Sequence, residues 1–275
     1  MAKIFAGLLL LCISASGSAK SGAGSKETLE REVALYKMPA AYISQATELY
    51  KGLQLQSKGL EKDIFLKAYK GYLVLLSQGL VQNPTMLTIA DFSQSNKNKR
   101  LYVIDLVART LRIHTYVSHG RNSGGVMATS FSNVNNSNKS VLGFLVTADT
   151  YNGSNGLSLR FRGMEPGFNN MVTNRAIVVH GSKFVSEKEL ARRGEMVNSL
   201  GCPAVPLAET KAIIQAIKGG SVYFIYHPDE NYAAKSAILN TSFSNNNFLS
   251  LPAIGLMSQD SAAWIVAPPA LTQIK

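Results

Sequence analysis

The chain has 275 residues, 28 Lys+Arg against 17 Asp+Glu, a formal net charge of +11, and 46% hydrophobic residues. That length carries a sizeable core in one large or two small domains, and the composition excludes a disordered or low-complexity chain. Two cysteines exclude a disulfide-rich scaffold and a structural zinc site built on four thiolates, and 16% charged residues favour a loop-rich β protein over a helical bundle.

Residues 1–19 read MAKIFAGLLLLCISASGSA. Lys3 gives a positive start, Ile4 to Ile13 form an apolar run, and small residues follow to Ala19. This is the order of a secretory signal peptide, and the apolar run is too short for a permanent membrane helix. Cleavage is expected after Ala19, with Gly17 and Ala19 at the small-residue positions. Leu11 stands where a lipobox requires a small residue, so lipidation of Cys12 is not expected. The rest of the chain holds no apolar run of about eighteen residues, so stable membrane insertion is not expected either. Cleavage removes Lys3 and Cys12 and leaves Cys202 as an odd thiol in an exported protein. Such a thiol is buried and inert, an intermolecular bridge, or a nucleophile; composition alone favours burial.

Residues 20–26 (KSGAGSK) read as a flexible leader, and 27–85 as a helical segment packed on the main domain. Phe65, Tyr69, Tyr72 and Leu76 follow at steps of four, three and four, which places them on one helix face ending before Gly79 and Pro84. Short runs rich in β-branched and aromatic residues then alternate with Gly, Asn and Ser: 100–106, 111–120, 141–147, 157–161, 175–180 and 221–226 read as strands. Two helices interrupt them. One starts at Ser186 with Glu189 three residues on, a capping box; the other covers 207–218 and stops at Gly219-Gly220. NVNNSNKS (133–140) and NTSFSNNNF (240–248) are polar loops. The expected architecture is mainly β (α+β), with a catalytic-type domain over 86–275.

The densest chemistry lies in 175–206. A strand delivers His180 at its end, and a loop and capped helix lead to Ser199-Leu200-Gly201-Cys202-Pro203. A cysteine nucleophile reacts as thiolate and needs a base or cation nearby, a role for which His180 has the best context of the four histidines. Gly201 lets backbone approach a carbonyl closely, and the Gly201 and Cys202 N–H groups are oxyanion donors; Pro203 has none. The spacing alone leaves an inert thiol beside an unrelated histidine fully open. His119, in the Gly-rich turn SHGRNSG, is either a cleft residue with Arg121 and Ser123 meeting the substrate, or a turn residue with a satisfied ring. Tyr151, with Gly153 and Gly156, either shapes the pocket or makes a tight turn. His114 reads as structural, His227 has no assigned role, and Trp264 reads as core.

The pattern HG…S-x-G-C after a strand resembles the L,D-transpeptidases of the YkuD type, and more narrowly the murein L,D-transpeptidase catalytic-domain branch, whose cysteine motif ends in GCP. LTIADFSQ (87–94), RLYVIDL (100–106), SHGRNSG (118–124), ATSFSN (128–133), KSVLGF (139–144), TYNGSNGLSLR (150–160) and GFNN (167–170) carry the same likeness, which runs from about residue 60 to 230 or beyond. The resemblance implies a YkuD-like β-sandwich catalytic domain and peptidoglycan stem peptides as partners. Cys202 is then the nucleophile, His180 the base, and Gly181 the residue whose carbonyl orients the histidine. Ser199 supports the cysteine loop. The thioacyl enzyme passes its acyl group to an amine, or to water in an L,D-carboxypeptidase. A periplasmic, wall-associated monomer without cofactor or metal is expected.

Two departures matter. Leu200 stands where the family commonly has His, and Pro203-Ala204 where a short apolar residue and Arg or Asn commonly follow the cysteine. They leave the substrate-carboxylate contact without an owner, and Arg175, Arg192 and Arg193 are candidates by proximity in sequence. They also keep open a wall-binding protein with a degraded site. A metal hydrolase is disfavoured, since neither H-E-x-x-H nor paired cysteines occur, and so is serine acyl transfer, which needs S-x-x-K with its partner motifs. Lys and Arg are spread along the chain, which argues against nucleic acid.

Overall fold

A computed structural model describes residues 21–243, with side chains from Lys26 onward. The expected signal peptide, Trp264 and most of the second polar loop lie outside the described residues.

Three helices open the chain: α1 (Ser21–Tyr36), α2 (Ala40–Gly52) and α3 (Lys62–Ser77). Helix α1 begins at Ser21, so the described part of the expected leader, 21–26, is helical. The predicted face of α3 is buried at Phe65, Tyr69 and Tyr72, but burial does not stop there: from Ile64 to Leu75 only Lys67 keeps substantial exposure. The helix lies between α1, α2 and the sheet. Gly71 permits the closest approach, because a Cβ there would fall inside the Phe144 ring. The helical segment is therefore part of the main core.

Eight strands follow: β1 (Met86–Asp91), β2 (Leu101–Asp105), β3 (Thr110–Thr115), β4 (Gly143–Gly153), β5 (Gly156–Gly163), β6 (Val178–Ser182), β7 (Ala204–Pro206) and β8 (Val222–Tyr226). They form one mixed sheet in the order β3-β2-β1-β8-β4-β5-β6-β7. The chain leaving edge strand β3 returns to the opposite edge, where the Ser118 N–H donates to Ala204 O at 2.9 Å. The segment after β3 thus covers the short β7 edge, where an unpaired strand would otherwise invite another chain. Helix α5 (Thr210–Ile217) fills the fold, touching β1, β2, β5 and β6 with Ile213, Ile214 and Ile217 fully buried.

The mainly β α+β expectation holds, with shifted boundaries. Strand β4 runs six residues past its predicted end, into a hairpin with β5. Ser186 caps α4 (Glu187–Arg193) as predicted, accepting from the Glu189 N–H at 3.2 Å. The last helices, α6 (Glu230–Lys235) and α7 (Ala237–Asn240), are tied down by buried Glu165, whose carboxylate accepts from the Phe144 N–H and Tyr232 OH, each at 2.8 Å, and from Ser236 Oγ. Among the described residues no helix is long and apolar enough to cross a membrane.

Candidate active site

Strand register assembles the site. Tyr151 pairs with Ser158 between β4 and β5, Ser158 with His180 between β5 and β6, and His180 with Ala204 between β6 and β7. Paired residues share a face, so Tyr151, Ser158 and His180 stand on one side of the sheet. Val179 and Leu159 point the other way, into the core. Cys202 lies two residues before Ala204, at the mouth of β7. The register thus brings the strand carrying His180 beside the segment that follows Cys202.

His180 Nδ1 lies 3.0 Å from Gly181 O. A carbonyl only accepts, so Nδ1 carries the proton and Nε2 presents its lone pair. Gly181 is required by packing: a Cβ there would strike Thr210 Oγ1 and come 2.9 Å from Leu207 Cδ1.

Cys202 is half-buried, and its thiol lies 3.6 Å from Ala176 O. Burial pushes its pKa above the ordinary thiol value; the Val178 N–H and the Arg175 guanidinium pull the other way. The resting group is a thiol whose thiolate has two ready partners.

Ser199 is the keystone of the cysteine loop. Its Oγ donates to Cys202 O at 2.5 Å and accepts from the Gly201 N–H at 3.1 Å. Its backbone bridges to the next wall, with N–H to His119 O at 2.8 Å and O from the Arg121 N–H at 2.7 Å. Gly201 adopts φ +121, a region L side chains rarely enter, and a Cβ there would stand 2.9 Å from Lys139 O. The Gly201 N–H, expected as an oxyanion donor, is spent on Ser199. Among the described residues the Cys202 N–H has no acceptor, so one of the two expected donors remains.

Several expected substrate contacts are corrected. His119 is fully buried: Nδ1 accepts from Arg100 Nη2 at 2.8 Å and Nε2 lies 3.3 Å from Gly124 O. Burial and the Arg100 charge lower its pKa to about 4, so the ring is neutral and structural. Ser123 is also fully buried, its Oγ accepting from the Ser140 N–H at 2.9 Å. Arg192 and Arg193 are both paired with Glu189, at 2.7 and 2.8 Å, on the outside of α4. Arg175 does lie beside the cysteine, but its guanidinium is committed to Ser132 O, Ser137 Oγ (3.1 Å) and Lys139 O (2.6 Å). It clamps the 132–139 loop against the site.

Arg121 and Tyr151 are accessible to solvent. Arg121 is exposed and lines, with Arg193, Glu195 and Asn198, a cavity of about 480 Å³ beside the cysteine loop. Tyr151 is half-buried, with the Arg160 guanidinium 4.0 Å over its ring. His114 is structural as read, stacked on Tyr102 with Nε2 2.8 Å from Lys99 O. Sequence reasoning missed Arg100, fully buried with bonds to Gln94 O, Val117 O and His119. A lone Arg inside a strand-like run was the only signal. It also missed Arg160, whose alternation with Ser158 on β5 was legible.

A half-buried thiol, a histidine whose Nδ1 faces a carbonyl and a loop braced by Ser199 lie on neighbouring elements. The sequence matches the L,D-transpeptidase catalytic domain over residues 56–226, and the chain belongs to that family. Comparison with curated proteins gives no match. Among solved structures, the chain is similar to an LD transpeptidase in complex with imipenem (12% identity, TM-score 0.32, covering 52% of this chain and 59% of that one). It is also similar to the L,D-transpeptidase from Mycobacterium smegmatis (11%, 0.32, 52% and 59%) and to that from Stackebrandtia nassauensis (14%, 0.31, 78% and 95%). The chain thus spans 59% of the length of the first two. Family membership rests on the sequence match alone.

Proposed function

We propose that this chain is an exported cysteine L,D-transpeptidase acting on peptidoglycan tetrapeptide stems. The observation that carries the reading is the register of β6 and β7, which sets His180 opposite Ala204 while Gly181 O fixes the ring with Nε2 free.

In the first half-reaction, Cys202 Sγ attacks the carbonyl carbon preceding the terminal D-alanine, and His180 Nε2 takes the thiol proton. The developing oxyanion meets the Cys202 N–H. The C–N bond breaks, His180 returns the proton to the departing amine, and a thioester remains. In the second, an amine of another stem attacks the thioester and gives a proton to His180. The C–S bond breaks, and Cys202 regains its proton from His180. Burial of the thiol makes the base necessary, because little thiolate exists at rest. Export, a periplasmic location at the wall and a monomeric state complete the proposal. The signal-peptide pattern of residues 1–19 and the basic balance of the chain, suited to anionic wall peptides, support export to the wall.

The test is a muropeptide assay on residues 20–275, wild type beside Cys202→Ala, with disaccharide-tetrapeptide and mass spectrometry. The expected product is a crosslinked dimer that has lost one alanine, absent in the variant. Tripeptide alone identifies water as the acceptor and an L,D-carboxypeptidase. Unchanged substrate with folded protein overturns the enzymatic reading in favour of wall binding.

A further inference from the structure

Pro203 and Ala204 after the cysteine supply no positive charge, which leaves open how an anionic donor is met. A stem ending in D-alanine carries a carboxylate one residue beyond the scissile bond, and a buried thiol site does not accept an unpaired anion cheaply. The arginines that sequence proximity suggested are already occupied. Arg175 holds three oxygens of the 132–139 loop, and Arg192 and Arg193 share Glu189. Arg162, also on β5, bonds Leu80 O and Gln82 Oε1.

Arg160 differs from all of them. It pairs with Val178 across β5 and β6, and Ser158, two residues before it, pairs with His180. Residues two apart on a strand share a face, so Arg160 rises on the same side as His180. It flanks Val178, whose N–H points at the Cys202 thiol. The guanidinium is held 4.0 Å over the Tyr151 ring, and among the described residues no acid pairs with it. Stacking on an aromatic face orients an arginine while leaving its edge N–H groups free, the arrangement that suits bidentate capture of a carboxylate. In the proposed reaction His180 returns the proton to the amine of the leaving residue, and one carbon separates that amine from the residue's own carboxylate.

We infer that Arg160, stacked on Tyr151, is the specificity-determining residue that binds the C-terminal carboxylate of the donor peptide and so restricts cleavage to the last peptide bond. The inference rests on the acyl-transfer reading of Cys202 and His180, and it places the carboxylate contact on β5 rather than after the cysteine. Arg121 lies outside the sheet, in a turn whose N–H meets Ser199 O.

Two readouts test it on wild type, Arg160→Gln and Arg160→Lys. The first is the kcat/KM preference for a tetrapeptide stem with a free C-terminal carboxylate over the same stem as carboxamide. The Gln variant is expected to lower that preference about tenfold through KM, and Lys to restore part of it without the bidentate fork. An unchanged preference in Arg160→Gln overturns the inference. The second needs no peptide turnover: the alkylation rate of Cys202 by iodoacetate relative to iodoacetamide. Arg160→Gln is expected to lower that ratio about threefold or more by removing a local cation. If wild-type protein turns over neither stem, the proposed activity fails, and the alkylation ratio alone decides whether Arg160 captures carboxylates; an unchanged ratio then overturns the inference.

Discussion

Ser199 Oγ donates to the carbonyl of Cys202 at 2.5 Å, three residues on, and closes the loop that presents the thiol. The same oxygen accepts the Gly201 N–H, and the Ser199 backbone is bonded to both His119 and Arg121. The cysteine loop is thus braced through both the side chain and the backbone of Ser199.

Gly201 bears the strain of this loop. Gly201→Ala places a Cβ at φ +121 and 2.9 Å from Lys139 O. A cost of about 1–3 kcal/mol in stability is expected, together with a loss of Cys202 acylation far larger than the fall in Tm implies. Thermal melts read beside a thiol-labelling rate check it. A variant with wild-type labelling contradicts the tight-loop account.

The thiol is expected to titrate high. Burial raises the Cys202 pKa, while Val178 N–H and the Arg175 charge lower it. The alkylation rate with iodoacetamide, followed against pH, should keep climbing past the ordinary thiol midpoint of about 8.5. Arg175→Leu removes a stabilising charge and should move the midpoint further up. A rate already at its plateau at neutral pH would show a preformed thiolate instead.

His119 supplies a stability prediction at acid pH. Its folded pKa of about 4 lies below the unfolded value near 6.5, so the unfolded chain binds the proton first. The contribution is complete above about pH 6.5 and is lost as pH falls toward 4, with an upper size of ~3 kcal/mol. Denaturant melts across that window should show the slope, and His119→Asn should flatten it. His114 and His227, also lowered by burial, add smaller slopes that remain in the variant.

Helix α3 is expected to be inseparable from the sheet. Gly71→Ala drives a methyl group into Phe144, which is itself stacked on Phe224 at 4.1 Å. Overpacking of this kind costs about 1–3 kcal/mol. Equilibrium unfolding should show one cooperative transition with a lowered midpoint. A separate transition for the helices would show an independent unit instead.

Much of this was legible in sequence where a residue's role depends on its near neighbours. Ser186 and Glu189 form their cap within one turn, and the SVYFIY run became β8, a fully buried central strand between β1 and β4 with α3 packed against it. The His180–Gly181 pair was legible for the same reason. What failed was long-range. Strand β7 is three residues long and ends in Pro206, too short for any periodicity, yet it positions the cysteine. For His119 the sequence left a cleft residue and a turn residue with a satisfied ring both open, because nothing local reveals Arg100, the partner that buries it, and nothing local reveals Ser140 beside Ser123. Arg175 lies beside Cys202, but the backbone oxygens that occupy it belong to a loop some 40 residues away.

Trapping the thioacyl enzyme tests the central claim most directly. Wild type and His180→Gln are mixed with tetrapeptide stem, quenched in acid within seconds, and read by intact mass with peptide mapping. The account predicts an adduct equal to the stem less its terminal alanine, on Cys202 alone, formed far more slowly in the variant. An adduct on another residue, equal rates in both proteins, or alanine release with no thioester at any time would contradict it.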